Sequence, residues 1–330
     1  MKILDMHCDT IMALMDNDKT LKKSDNMIDI EKLEQGNYLL QCFAMFVPYV
    51  GKEEKYSPFE MCHKMIDRYY QEMSKNTDKI RPVFNYSDIE KNIRDGIMSS
   101  LLTIEEGGVC LGNIEFLRNF YRLGVRMMTL TWNFKNEIGS PNIDYFKVTK
   151  EDIRRNGPTI NTVDGLTEFG VEVVKEMNKL GMIVDCSHLS DKGFYDVIKY
   201  STKPIVCSHS NARSVCNHPR NLTDDMLYKL KENGGVTGIN YCHAFIKNGD
   251  GLATVKDVVK HIDYIKNLIG IDYIGLGSDF DGIGNSDIEL KDASMMNLLI
   301  EELVRSGYTE EEIDKICYKN VLRVFKENFK

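Results

Sequence analysis

The stretch LTEFGVEVVKEMNKLGMIVDCSH, residues 166–188, contains one complete repeating unit of the fold. Apolar residues recur at spacings of three and four over residues 166–180, which predicts an amphipathic helix, and Gly181 is a typical stop signal. The run that follows, residues 182–188, is short and rich in aliphatic residues, which predicts a buried strand that ends in His188. A helix that leads directly into a buried strand is typical of an α/β protein with a parallel sheet.

The same alternation recurs along the chain and predicts an α/β fold of the (β/α)8 TIM barrel type. A second amphipathic stretch covers residues 255–269, and residues 298–330 are expected to form terminal helices that pack over the barrel. Eight candidate strands are found at residues 2–7, 39–46, 99–105, 125–131, 182–188, 204–209, 235–240 and 273–279. With neither a low-complexity linker nor a repeat of fixed period, the chain is predicted to form one domain over residues 1–330.

Composition excludes several classes of function. The net charge of −8 is spread along the 330 residues, and no Lys/Arg block interleaved with aromatic residues offers a nucleic-acid footprint. No run of about 18 apolar residues and no signal-peptide pattern is visible, so we expect no membrane association and a cytoplasmic protein. The nine Cys residues show no C-x-x-C spacing and are expected to remain thiols.

Ionisable residues gather at the predicted strand ends, beginning with ILDMHCDT, residues 3–10. On a strand, Asp5, His7 and Asp9 would share one face and Cys8 would lie on the other. A lone His-x-Asp is more often a frayed strand end than a metal site, but five of the eight strands finish in such residues. These strand ends carry His7 and Asp9, Glu105 and Glu106, His188, His209, and Asp279. In a closed barrel all these ends meet at one face, so the residues are expected to form a single site.

The composition of this set favours a centre of two metal ions. Imidazole and carboxylate groups suit zinc, and four to five such ligands exceed the usual three protein ligands of one catalytic zinc. A carboxylate shared between two ions would let a bridging water lose its proton near neutral pH. We therefore expect hydrolysis by a metal-bridging hydroxide, with two Zn²⁺ per chain. Manganese, cobalt and iron also accept these ligands.

Five segments give the chain a specific family resemblance. They are MHCD (His7, Asp9), EEGG (Glu106), CSHLS (His188), CSHSNARSVCNHPRN (His209, Arg220) and GLGSDFDG (Asp279). In this order and at this spacing they resemble the membrane dipeptidase family, also called renal dipeptidase or peptidase family M19, over residues 3 to about 285. The lack of a signal or lipid-anchor pattern is similar to the soluble bacterial type.

The resemblance implies a zinc-dependent metallodipeptidase, whose substrate is a dipeptide that can carry a D-residue at its C-terminus. His7 and Asp9 would hold one zinc, and His188 and His209 the other. Glu106 would bridge the two ions, because it directly precedes the Gly pair of the motif. Glu105 would lie on the opposite face as a neighbour. A homodimer is common among such barrels, although the sequence leaves the oligomeric state open.

The resemblance also implies roles in proton transfer and substrate binding. Asp279 would take a proton from the bridging water and give it to the leaving amine. Arg220 would bind the free carboxylate of the dipeptide, which a planar guanidinium group suits well. The family commonly has a His where this chain has Trp132, so Trp132 is expected to stack on a substrate side chain. Asn133 would supply the missing polar contact, and Asp281 is interpreted as a loop cap.

Two other functions remain open at this stage. Trp132 and the long segment 133–165 would also fit a binuclear amidohydrolase that acts on a lactam, a lactone or another cyclic amide. A non-catalytic barrel that binds a peptide or a metal is a third interpretation, but such a protein would not need Asp279. His63 and His261 are interpreted as helix-surface residues, and a His261→Ala change is expected to be silent.

Overall fold

The computed structural model describes residues 1–16, 19–48, 56–145, 147, 160–284 and 287–330. All its sheet strands run parallel. In chain order the strands are β1 Ile3–Asp5, β2 Tyr38–Phe46, β3 Ile80–Pro82, β4 Met98–Glu105, β5 Met127–Thr129, β6 Ile183–Asp185, β7 Val206–Cys207, β8 Val236–Ile239 and β9 Ile274–Leu276. Each predicted strand is present, in most cases with its C-terminal residues outside the regular pairing.

Eight of these strands close into a barrel, which confirms the predicted TIM fold. The neighbours follow the order β2, β1, β9, β8, β7, β6, β5, β4, and β2 pairs with β4 to complete the ring. The additional strand β3 was not predicted. It pairs with residues 98–100 of β4, on the part of β4 that precedes its pairing with β5 at residues 103–105. Along one edge, the long strand β4 therefore pairs with β3 near its beginning and with β5 near its end.

Helices surround the barrel and have well-defined ends. The predicted helix 166–180 begins at Glu168, because the Thr167 side chain accepts a hydrogen bond from the Gly170 backbone N–H. It ends at Gly181, which takes the left-handed conformation (φ 84°) that glycine adopts without strain. The α-helices cover Thr10–Ala13, Ile30–Gln35, Pro58–Lys75, Tyr86–Asp95, Ile114–Arg122, Glu168–Leu180, Asp191–Tyr200, Asp224–Asn233, His243–Ile246, Val255–Ile269, Met296–Arg305, Glu310–Asp314 and Asn320–Asn328. A π-helical segment, Lys315–Lys319, joins the last two.

The barrel interior is apolar at one end and polar at the other. Leu4 and Met6 of the first strand region share a buried cluster with Val321 and Phe325, so the terminal helix Asn320–Asn328 covers the end where the strands begin. This placement agrees with the predicted terminal helices. The ionisable residues occupy the opposite end, where the strands finish, and this end carries the active site in enzymes of this fold.

The segment after β5 is described only in part. Residues 133–145, 147 and 160–165 have defined positions, and Gly139 forms a bridge to Leu166. Residues 146 and 148–159 of the long segment 133–165 lie outside the described residues. Among the residues that the structure describes, none of the helices combines the length and apolar character needed to cross a membrane.

Candidate metal centre

The predicted site residues converge at the ends of the strands, but most of them lie just beyond the regular strand. β1 ends at Asp5, and His7 and Asp9 follow it. His188 and Asp279 come after β6 and β9 and take left-handed backbone conformations, with φ values of 68° and 63°. Such values are uncommon for non-glycine residues and concentrate at functional sites.

Glu105, and not Glu106, lies among the histidines. Its Oε1 is 3.0 Å from Nε2 of His188 and 3.5 Å from Nε2 of His209, and its Oε2 is 3.4 Å from Nε2 of His7. Each carboxylate oxygen therefore faces a different part of the cluster. This arrangement corrects the prediction that Glu106 bridges the site and that Glu105 faces away.

The backbone explains where Glu106 goes instead. Its φ of 91° turns the chain out of the strand, so the alternation of β4 no longer sets its direction. The buried Glu106 carboxylate accepts hydrogen bonds from the backbone N–H of Trp132 and of Gly108, both at 2.7 Å, and from the side-chain amide of Asn136. Glu106 thus fixes the loops beside the site rather than the centre itself.

Hydrogen bonds fix the tautomers of two histidines. Nδ1 of His188 lies 2.8 Å from Oδ1 of Asn133, and because an amide oxygen only accepts, this Nδ1 carries the proton. Nδ1 of His209 lies 2.7 Å from Oγ of Ser208, whose own proton goes to the carboxylate of Asp185 at 2.5 Å. Both rings therefore present an unprotonated Nε2 to the centre.

The two Nε2 atoms lie only 3.0 Å apart, with the Glu105 carboxylate beside them. Burial lowers the pKa of both His188 and His209 well below the ordinary value, so the rings are neutral. Two lone pairs and a carboxylate oxygen then face one another, which is unfavourable unless a cation lies between them. These donors fit a divalent transition metal.

A second group of donors lies next to the first. Nε2 of His7 is 3.6 Å from Oδ1 of Asp9 and 3.9 Å from Oδ1 of Asp279. Nε2 of His7 and Oδ1 of Asp9 are both buried and have no hydrogen-bond partner. Unpartnered buried polar atoms are costly, and a bound cation would satisfy them. The donor sets His7–Glu105–His209 and His7–Asp9–Asp279 each lie within 4.8 Å.

Asp279 borders the cavity that opens onto this centre. Its Oδ2 accepts a hydrogen bond of 2.9 Å from the side-chain amide of Asn240. Burial raises the pKa of Asp279 to about 6. The cavity has a volume of about 470 Å³, in the range of small-molecule sites, and Glu105 and His188 also line it. The carboxylate of Asp279 is thus near both the centre and the space for a ligand.

Arg220 is buried close to the same centre and is not a surface charge. Its Nη2 donates to the His209 carbonyl oxygen at 3.3 Å and its Nη1 to Oγ of Ser210 at 3.4 Å. Its Nε has no hydrogen-bond partner, and the guanidinium lies 5.4 Å from the centre of the Phe245 ring. A buried guanidinium with incomplete hydrogen bonding is a ready anion site.

Trp132 and Asn133 both line the cavity. The Trp132 ring packs 6.2 Å from the His188 ring, whereas the Asn133 side chain is hydrogen-bonded to His188. Sequence reasoning gave Asn133 only a contact with substrate, and the structure adds this bond to a site histidine. Asp281 accepts from the Thr10 hydroxyl at 2.7 Å and from the Met27 backbone at 2.6 Å, as expected for a residue that stabilises a loop.

His261 corrects another prediction. It is fully buried in the helix Val255–Ile269 and not on its surface. Its Nδ1 accepts from the Ala212 backbone N–H at 3.2 Å, and its Nε2 donates to the Ile246 carbonyl at 2.9 Å. It therefore connects the loop after β7 with the short helix His243–Ile246.

Sequence reasoning missed the residues that support the centre, chiefly Asp185, Ser208 and Asn240. Asp185 accepts from the backbone N–H and the hydroxyl of Ser208 and from the Thr129 hydroxyl. A signal was available, since Asp185 is an acidic residue inside the apolar run MIVDCSH. A charged residue in a buried strand needs partners, and such partners often belong to a functional site.

A closed (β/α)8 barrel with imidazole and carboxylate groups clustered where its strands end defines a metal-dependent hydrolase. The family model of the membrane dipeptidases (peptidase family M19) matches residues 1–329. The chain belongs to this family, which confirms the resemblance seen in the sequence, and it is a peptide-bond hydrolase of the metallopeptidase class.

Two individual relatives match more than two thirds of this chain. An uncharacterised protein in the pqqA 5′ region of Klebsiella pneumoniae is 35% identical over 272 residues, which cover 82% of this chain and 96% of that protein. Dipeptidase 3 of Rattus norvegicus is 36% identical over 230 residues, which cover 70% of this chain and 45% of the rat protein.

Solved structures show the same fold. The dipeptidase AC, a metallopeptidase of family M19, superposes with a TM-score of 0.88 at 25% identity, over 100% of this chain and 99% of that one. A metallopeptidase from Rhodobacter sphaeroides, in complex with a phosphinate mimic of the dipeptide L-Ala-D-Ala, gives the same TM-score at 23% identity and the same coverage.

Proposed function

We propose that the protein is a dipeptidase that uses two divalent metal ions, preferably zinc. The observation that carries the proposal is the position of Glu105, whose two carboxylate oxygens face different histidines of the cluster. A carboxylate in this position can hold two cations at once. The unpartnered atoms of His7 and Asp9 and the facing lone pairs of His188 and His209 support a cation on each side.

In this proposal His7 and Asp9 hold one ion, His188 and His209 hold the other, and Glu105 bridges them. Bound ions would supply an acidified water and would polarise the scissile carbonyl group. Asn133 and Ser208 each accept the Nδ1 proton of one histidine, which directs the other ring nitrogen to the ion.

Asp279 is the proposed general base and acid. It lies at the cavity, and the bond from Asn240 to its Oδ2 leaves its Oδ1 directed toward His7 and the metal side. Asp279 would take the proton of the attacking water and then transfer it to the nitrogen of the leaving amine. A carboxylate can perform both transfers because the first one leaves it protonated for the second.

Arg220 is the proposed carboxylate-binding residue. Its unpartnered Nε–H and its buried charge favour an anionic group of the substrate. A dipeptide has its carboxylate one residue beyond the scissile bond, so this contact and the ions together would fix the reacting carbonyl group. Cyclic amides and lactones that lack a free carboxylate would lose this contact, and we expect little turnover of them.

The test combines metal content with turnover for the wild type and Asp279→Asn. The wild type is expected to hold about two zinc ions per chain and to release amino acids from dipeptides, in a panel that includes L,L and L,D pairs. The L,D pairs are included because of the dipeptide mimic in the Rhodobacter sphaeroides structure. Asp279→Asn should keep the metal and lose turnover by about 10²-fold or more. Full turnover in Asp279→Asn would refute its role, and a wild type inactive on all dipeptides would refute the proposed function.

A further inference from the structure

One side of the cavity is formed by an aromatic wall, defined here as Phe46, Trp132 and Tyr145, with Phe134 packed behind them. The Trp132 ring centre lies 4.9 Å from that of Phe46, 5.6 Å from that of Tyr145 and 5.3 Å from that of Phe134. The three wall residues line the cavity together with Glu105 and His188 of the proposed metal centre. The cavity thus brings an apolar aromatic surface next to the reacting groups.

Backbone hydrogen bonds hold the wall in place. The N–H of Trp132 donates to the Glu106 carboxylate at 2.7 Å, and the N–H of Tyr145 donates to the Asn133 carbonyl at 2.8 Å. Tyr145 and Trp132 meet edge to face, at an interplanar angle of 80°. Edge-to-face packing is a favourable arrangement of aromatic rings. The wall is therefore preformed and does not need a ligand to order it.

The wall continues from the metal centre toward Arg220. Trp132 packs beside the His188 ring, at 6.2 Å. Tyr145 packs against Trp132 and hydrogen-bonds to the side chain of Asn133, which also bonds His188. Burial raises the pKa of Tyr145 and the charge of Arg220 lowers it to a smaller extent, so Arg220 acts on this end of the wall. A ligand in the cavity beside Glu105 and His188 consequently has the wall next to it.

We propose that the aromatic wall binds the side chain of the C-terminal residue of the substrate, so that the enzyme prefers dipeptides with a large apolar C-terminal residue. This inference rests on the proposed dipeptidase function. The Cα atom of that residue carries both the carboxylate and the side chain, so a dipeptide with its carboxylate at Arg220 and its scissile carbonyl at the metal centre presents this side chain to the cavity that the wall lines. Burial of an apolar side chain against aromatic rings is favourable.

The preference is tested by the ratio of kcat/KM between two substrates of one enzyme, which cancels general losses of activity. For the wild type, Ala-Phe is expected to exceed Ala-Ala by about tenfold or more, the range that hydrophobic pockets give. Trp132→Ala and Tyr145→Ala should each reduce this ratio severalfold, while Tyr145→Phe, which keeps the ring, should retain it. Phe-Ala against Ala-Ala should change little in all of these variants.

Tyr228→Ala serves as a control, because Tyr228 is an exposed aromatic residue on the helix Asp224–Asn233, outside the cavity lining. It should leave the ratio unchanged. An equal loss on all dipeptides in Trp132→Ala would show a merely structural role and would overturn the inference, as would a selective loss on Phe-Ala. A wild type that hydrolyses no dipeptide would instead refute the underlying function.

Discussion

Replacing Glu105 and Glu106 separately by Gln tests which of the two adjacent acids belongs to the centre. Both side chains are buried and differ by one position in sequence, so each variant is the matched control of the other. Glu105 faces three imidazole nitrogens, whereas Glu106 accepts only from hydrogen-bond donors of the surrounding loops. The structure therefore predicts opposite phenotypes.

The Glu106→Gln variant should lose stability and keep its metal. The glutamine oxygen can still accept from Gly108 and Asn136, but its NH₂ group then faces the Trp132 N–H, which no longer has an acceptor. One buried donor left unsatisfied costs about 1–3 kcal/mol. We expect this loss in the free energy of unfolding, measured by urea denaturation in the presence of a chelator, with about two ions per chain retained in the metal-loaded protein.

The Glu105→Gln variant should behave in the opposite way. Without metal, its amide NH₂ can donate to the lone pair of His188 and its oxygen can accept from His7. The free energy of unfolding in chelator should therefore fall less than in Glu106→Gln. Metal affinity should drop by more than the roughly 100-fold that loss of an outer-shell partner causes, because a shared ligand is removed. Competition with a chromophoric chelator measures this affinity. Loss of metal in Glu106→Gln together with full binding in Glu105→Gln would refute the reasoning.

Three further changes test other parts of the structure. A Cβ on Gly282 would lie 2.1 Å from Oδ2 of Asp9, so Gly282→Ala should displace this carboxylate and weaken metal binding. Chelator competition measures the affinity, and binding at wild-type strength would contradict the close approach. Ser208→Ala should reduce metal affinity about 10- to 100-fold, whereas Thr129→Val, which removes another bond to the same aspartate, should leave affinity close to wild type. Burial lowers the pKa of His261 to about 4 from 6.5, so the unfolded chain binds this proton more readily and the free energy of unfolding should fall between about pH 6.5 and 4. This contribution is at most about 3 kcal/mol. His261→Ala should have a lower free energy of unfolding at neutral pH, and that free energy should fall less steeply toward acid pH than in the wild type. The same pH dependence in both proteins would refute this role of His261.

The barrel could be predicted from sequence because its strands are short apolar runs between amphipathic helices. The strand Ile80–Pro82 could not, since it contains no apolar run and ends in Pro82, a poor strand former. It forms because the first residues of β4 extend beyond the pairing with β5 and need a partner. Tertiary context, rather than local preference, determines such a strand.

The site was predictable in its composition but not in its details. The convergence of strand ends places His7, His188 and His209 together whatever the exact strand length. The choice between Glu105 and Glu106 was made from the Gly pair of the motif, and this choice was wrong. Alternation along β4 gives the right residue, because Leu101 faces the barrel interior and Glu105, four residues later in the same strand, lies on the same face.

The two buried aspartates Asp5 and Asp185 show how the barrel positions its polar end. Asp5 accepts from the backbone N–H of His7 and from both the backbone N–H and the hydroxyl of Ser278. Asp185 likewise accepts from the backbone N–H and the hydroxyl of Ser208, and the hydroxyl oxygen of Ser208 accepts from Nδ1 of His209. In each case the carboxylate of a strand's last residue accepts hydrogen bonds from a serine that follows the neighbouring strand. This serine directly precedes a site residue, Asp279 after Ser278 and His209 after Ser208. A buried carboxyl group with this many donors is well satisfied and rigid, so each aspartate keeps the proposed ligands in place before any ion binds.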